Sequence, residues 1–148
     1  MPTYIPKVDA IARKWFVIDA KGQVLGKVAA AAAMVLTGKK KPIYTPFLDT
    51  GDHVVVINAD QVHLSGRKEE GKIYYRVTGY LGGMKATAAG DVRKKRPQKL
   101  VEEAVRGMLP KTKLGRAMFT KLKVYAGATH PHEAQKPQPL ALKKQEPR

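Results

Sequence analysis

Cysteine is absent from this chain of 148 residues, which excludes a disulfide framework and any thiolate metal site. Acidic residues are scarce: 12 Asp plus Glu face 28 Lys plus Arg, a formal net charge of +16. Such an excess opposes compaction by self-repulsion and is expected where a polyanion supplies the counter-charge. Long apolar runs are missing too. The longest, residues 28–36, is alanine-rich and too short to span a bilayer. The opening MPTYIPKVDAIARKW has no apolar stretch followed by a small-residue cleavage site, so no signal peptide is expected and the cytosol is the default compartment. Internal repeats are also absent.

What is present is the core of one domain. A hydrophobic fraction of 43% is ordinary for a globular chain, and this length can bury a real core. Residues 1–14 hold two prolines and three cations and read as an extended arm. Trp15-Phe-Val-Ile18 is a short β-prone run, expected to be buried on both faces and ended by the turn Asp19-Ala-Lys-Gly22. Beyond it Leu25, Val28, Ala29, Ala32, Val35 and Leu36 recur at helical spacing. Gly38 is placed to cap that helix, and Lys39, Lys40 and Lys41 follow where cations suit its C-terminal dipole. His53-Val-Val-Val-Ile-Asn58 has the unbroken apolar pattern of a central strand. Strand, helix and strand together predict a βαβ unit with parallel pairing. A turn of helix is expected at 59–61 and a third short strand at 62–64.

Residues 67–96 carry nine cations against three acids, with five glycines. Ile73 to Thr78, introduced by Lys72, reads as an exposed strand or ribbon, and Gly79-Tyr-Leu-Gly-Gly83 as an aromatic loop. Pro97 fits the first position of a second helix, whose face would be Leu100, Val101, Ala104, Val105 and Met108, with Glu102 and Glu103 outward. Pro110 ends it. A further short helix is expected at 114–121 and a last strand at 123–126. Residues 15–127 thus form a single α/β domain, and 128–148, rich in proline and lysine, an extended tail.

Enzymatic signatures are weak. Gly22 to Lys27 has three residues between its glycines and Val28 after the lysine, so it fails the phosphate-loop rule. His130-Pro-His132-Glu133 is too small a ligand set for a metal site; its imidazoles suit stacking on, or hydrogen bonding to, a partner. Asp49-Thr-Gly51 echoes an aspartic-protease triplet, but a turn in which Asp bonds the local backbone is the better account. His53 and His63 read as packing residues.

The basic surface is the stronger signal because it recurs. One cluster is Lys39, Lys40 and Lys41. A second is Arg67, Lys68, Lys72, Arg76 and Lys85, interleaved with Tyr74, Tyr75 and Tyr80. A third is Arg93, Lys94, Lys95 and Arg96. The densest stretch, residues 106–127, holds Arg106, Lys111, Lys113, Arg116, Lys121 and Lys123 with no acid. Cations contact phosphates and aromatic faces stack on unpaired bases. A membrane binder would show a long basic amphipathic helix with a bulky apolar face, which this chain lacks. Zinc-finger spacing, leucine heptads and RNP or KH signatures are likewise missing. Basic arms and glycine-lysine loops on a small α/β core suit a folded RNA, and composition alone goes no further than that class.

Particular residues go further. WFVIDAKGQVLGK (15–27), YTPFLDTGD (44–52), VINAD (56–60), KIYY (72–75), TGYLGG (78–83) and RGMLPKTKLGRAMFTKLKVYAG (106–127) occur in that order, followed by His130-Pro-His132. Together they resemble the bacterial large-subunit ribosomal protein L thirteen family, over residues 4 to about 139. The resemblance implies a three-layer α/β/α core around a small, mainly parallel sheet. It implies a structural constituent of the large (50S) subunit that binds 23S rRNA, helps early assembly and catalyses nothing. It further implies a place in the cytoplasm within the ribosome, beside other large-subunit proteins. No cofactor, small-molecule substrate, membrane or self-association is expected. The cations and tyrosines of the clusters above, with His130 and His132, are the expected RNA contacts.

Overall fold

The structure is a computed structural model and describes residues 4–142; the ends of the expected arm and tail, 1–3 and 143–148, lie outside the described residues. Strand β1 (Trp15–Asp19) leads into helix α1 (Leu25–Thr37), and the chain returns as β2 (His53–Ile57). The two strands pair in parallel, Phe16 opposite Val54 and Ile18 opposite Val56. Helix α1 ends where Gly38 takes φ 77°. There the amide of Lys39 donates to the Met34 carbonyl and that of Gly38 to Val35, a left-handed cap that glycine adopts without strain. Asn58, also left-handed at φ 56°, opens a 3-10 turn at Ala59–Gln61. No strand forms at 62–64: His63 makes a single parallel bridge to Val24, while Val62 and Leu64 are buried.

After a one-turn helix α2 (Lys68–Gly71), β3 (Ile73–Val77) and β4 (Met84–Ala88) form a separate antiparallel ribbon. Helix α3 (Ala89–Lys95) follows at once, and neither β4 nor α3 was expected from the sequence. Helix α4 (Pro97–Met108) starts on its proline and stops before Pro110. Helix α5 (Lys113–Thr120) is capped by the Thr112 hydroxyl, which accepts from the amide of Gly115. Strand β5 (Leu122–Val124) then joins β2, and β6 (Gln138–Pro139) joins β1. The sheet order is β5-β2-β1-β6, with every pairing parallel.

Strand alternation sends Ile18, Val54, Val56 and Leu122 to one face, where they pack with Val28, Ala32 and Leu36 of α1 and with Leu100, Val101 and Val105 of α4. The alanines of α1 keep that helix slim, so α4 can approach closely. On the opposite face Val55 is fully buried, and Trp15, His53 and Tyr125 gather with His132 from the chain's last segment. This is the three-layer α/β arrangement around a mainly parallel sheet that the resemblance implied.

Three expectations are corrected. Strand β1 is not buried on both faces: of its residues only Ile18, on the face that meets α1 and α4, is buried. Met108 is 46% exposed and leaves the α4 face, where Leu109 takes the inward place. The tail is not wholly extended, since it carries a 3-10 turn at Glu133–Gln135 and then enters the sheet as β6.

Candidate nucleic-acid interface

Acids are few, so the cations that hold one can be separated from those that do not. Lys121, an expected RNA contact, is 5% exposed. Its ammonium donates to Asp49 Oδ1 at 2.6 Å and to the Leu36 carbonyl at 3.3 Å. Burial pulls its pKa below the ordinary 10.5, against the opposing pull of the Asp49 hydrogen bond and charge. Asp49 also accepts from the amide of Gly51, the turn-forming role read for it in the sequence. Lys41 donates to Asp52 Oδ1 at 2.6 Å and to the Ala12 carbonyl at 3.0 Å. Arg93 pairs with Glu69 at 2.7 Å and reaches the Val62 carbonyl at 3.3 Å. These three cations hold the fold together through partners within the chain.

Two of the expected contact rings also pack within the fold. Tyr74 is half-buried against the core, with its hydroxyl enclosed and Lys72 Nζ 5.3 Å from its ring centroid. His132 shares a 2.8 Å hydrogen bond through Nε2 with the Tyr125 hydroxyl and packs on Trp15 with centroids 5.1 Å apart. Trp15 in turn stacks on His53 at 4.3 Å. Burial lowers the His53 pKa from 6.5, helped by the positive charges of Lys121 and Arg13 and opposed by Asp52 and Asp49. His130 ends this ladder half-buried, its Nδ1 accepting from the amide of His132.

The other expected cations are exposed, and none of them is in an ion pair with a described acid. Lys39 and Lys40 stand just past the Gly38 cap. Arg67, Lys68 and Lys72 border α2. Arg76 and Lys85 face each other across the ribbon, an arrangement of like charges that favours an anion between them. Lys94, Lys95 and Arg96 end α3. Arg106, Lys111, Lys113 and Arg116 surround the α4–α5 turn, and Lys123 projects from β5. Tyr75 and Tyr80 are exposed at 63% and 83%, as stacking requires. Their neighbours on the ribbon, Val77, Leu81 and Met84, are exposed as well.

Aromatics beside the first lysine cluster were missed. Phe47 is 64% exposed and Tyr44 37%, on the proline-bounded loop after Lys41. A ring next to a lysine run is the signal that could have drawn attention to them. Among the described residues no group of His, Asp and Glu could hold a metal ion, and no helix is long and apolar enough to cross a membrane.

Comparison with known proteins points to one family. The sequence model described as Ribosomal protein L13 matches residues 13–131. The large ribosomal subunit protein uL13 of Methylococcus capsulatus is 52% identical, over 96% of this chain and 100% of its own length. Its counterpart from Solibacter usitatus is 55% identical over 97% and 100%. That from Koribacter versatilis is 56% identical over 95% and 99%.

Proposed function

The chain belongs to the ribosomal protein L13 family, and from that premise we propose that it is a structural constituent of the large ribosomal subunit. It binds 23S rRNA through its exposed basic loops, helps early assembly, works in the cytoplasm within the ribosome and is not an enzyme. One observation carries the RNA reading: Asp52, Glu69 and Asp49 engage Lys41, Arg93 and Lys121, and the other expected cations have no acid partner among the described residues. A polyanion is the partner that such a surface lacks.

Binding of the purified chain to 23S rRNA transcripts across a salt series tests this. With about 8 phosphates neutralised, log K is expected to fall against log salt with a slope of about −6 to −7. A slope near about −1 would refute a distributed surface. Equal affinity for duplex DNA at matched salt would refute the preference for rRNA. Sedimentation of the chain with large-subunit particles on a sucrose gradient checks its place in the assembly.

A further inference from the structure

Helices α4 and α5 enclose two adjoining grooves that share Arg106, Glu103 and Phe119. The larger, about 820 Å³, runs under the Pro110 turn and is bordered by Lys111 and Arg116. The smaller, about 400 Å³, continues toward Arg96 and Lys99. Residues 99, 103 and 106 recur at helical spacing, so they form one stripe on α4, and Arg96 stands just before the first residue of the helix. At 1.5 Å per residue the stripe is about 10 Å long, the span of about two nucleotides of a strand. Glu103 is engaged by Lys99 at 3.4 Å. Arg96, Arg106, Lys111 and Arg116 are therefore unpaired cations along the track, against one unpaired acid, Glu102, lining the smaller groove.

The groove's shape is built in. A Cβ on Gly115 would meet the Pro110 carbonyl at 1.8 Å, so only glycine lets α5 start this close beneath the turn and close the end of the larger groove. Phe119 packs one side on the core and lines both grooves with the other. A half-buried aromatic flanked by guanidinium groups, in a recess of small-molecule size, has the elements of a site for an unstacked base with its phosphate.

We propose that the α4–α5 groove is a track for single-stranded RNA, in which one unpaired nucleotide lays its base on Phe119 and its phosphates on Arg106 and Arg116. The proposal rests on the rRNA reading above and deepens it: most of the basic surface needs only backbone phosphates, whereas this groove requires an unpaired base.

The test compares the full chain with Phe119→Leu, Phe119→Tyr and the double variant Arg106→Gln/Arg116→Gln. Each is titrated against 23S rRNA transcripts, a ten-nucleotide single-stranded RNA and a duplex RNA of the same length. Phe119→Leu is expected to lose about 5- to 10-fold for the single strand, the lower end of one base–aromatic stack, with its salt slope and duplex affinity unchanged. Phe119→Tyr keeps an aromatic face and is expected to bind as the unaltered chain does, so loss through misfolding is told apart from loss of the ring. The double arginine variant is expected to flatten the salt slope by about 2. Single-strand affinity unchanged by Phe119→Leu overturns the proposal while leaving the rRNA reading intact. So does loss of uptake into large-subunit particles with RNA affinity unchanged, which would make the groove a protein contact. Failure of the unaltered chain to bind the 23S transcripts would overturn the rRNA reading itself.

Discussion

Two lysines separated by a single residue, Lys121 and Lys123, have opposite fates. The ammonium of Lys121 sits under the end of α1 with Asp49 as its counter-ion, whereas Lys123 stands in solvent. Replacing Lys121 with alanine would leave Asp49 short of its closest charge partner, and a cost of about 3 kcal/mol in chemical denaturation is expected. Lys123→Ala is expected to stay within about 0.5 kcal/mol of the unaltered chain and to take about 1 unit from the salt slope of rRNA binding. The sequence could not separate the two, because Asp49 lies 72 residues earlier and only the fold brings it to Lys121. His53 gives a pH dependence. Its folded pKa lies below 6.5, so just under that pH the unfolded chain binds more protons than the folded one. Stability therefore falls as pH drops below 6.5 and levels off beneath the folded value. His53→Phe keeps a ring against Trp15 and is expected to remove this part of the slope in thermal melts between about pH 7 and about pH 5.

Elements with a strong local signal were legible in the sequence. Helix α1 has periodicity and a glycine cap, β2 an unbroken β-branched run, and α4 a proline at its start; each formed close to its expected place. Strand β4 and helix α3 were not legible, for a physical reason. The stretch Lys85-Ala-Thr-Ala-Ala-Gly has little intrinsic strand preference, and it becomes a strand only because β3 offers it an antiparallel partner. The half-buried place of Tyr74 was hidden on similar grounds, since alternation along a strand does not say which face meets the core. Close backbone approach was also hidden. A Cβ on Gly51 would lie 1.7 Å from the Leu36 carbonyl, where the loop before β2 presses on the end of α1. Gly51→Ala is therefore expected to cost at least about 3 kcal/mol, the upper end of ordinary overpacking. Gly26→Ala, in the first turn of α1 with open space around the added methyl, is expected to be neutral or to stabilise by up to about 1 kcal/mol. Denaturant midpoints of the two variants give the comparison.

At the scale of the whole molecule, the charge that opposes compaction is arranged around a core containing few charges of its own. Family membership was legible because ordered motifs run along nearly the whole chain, whereas the contact surface was legible only as clusters. Only the fold sorts the cations within them, placing Lys41, Arg93 and Lys121 in ion pairs within the chain. Strand β6 is the other feature that appears only in the assembled molecule. Gln138-Pro139 has no strand signal, and its proline is tolerated because β6 lies at the sheet edge. The amide of Leu140 donates to the Val17 carbonyl, and Leu140 and Leu142 pack on the core. Ending the chain at Lys136 is expected to cost about 2 kcal/mol through the lost apolar burial, read as a lower midpoint in thermal unfolding. The same pairing sets a timetable for synthesis. Strand β1 is made well before β6, so the nascent chain carries an open parallel edge until residues 138–139 have been added. A product that stalls or is cut short before β6 would present that edge to other chains.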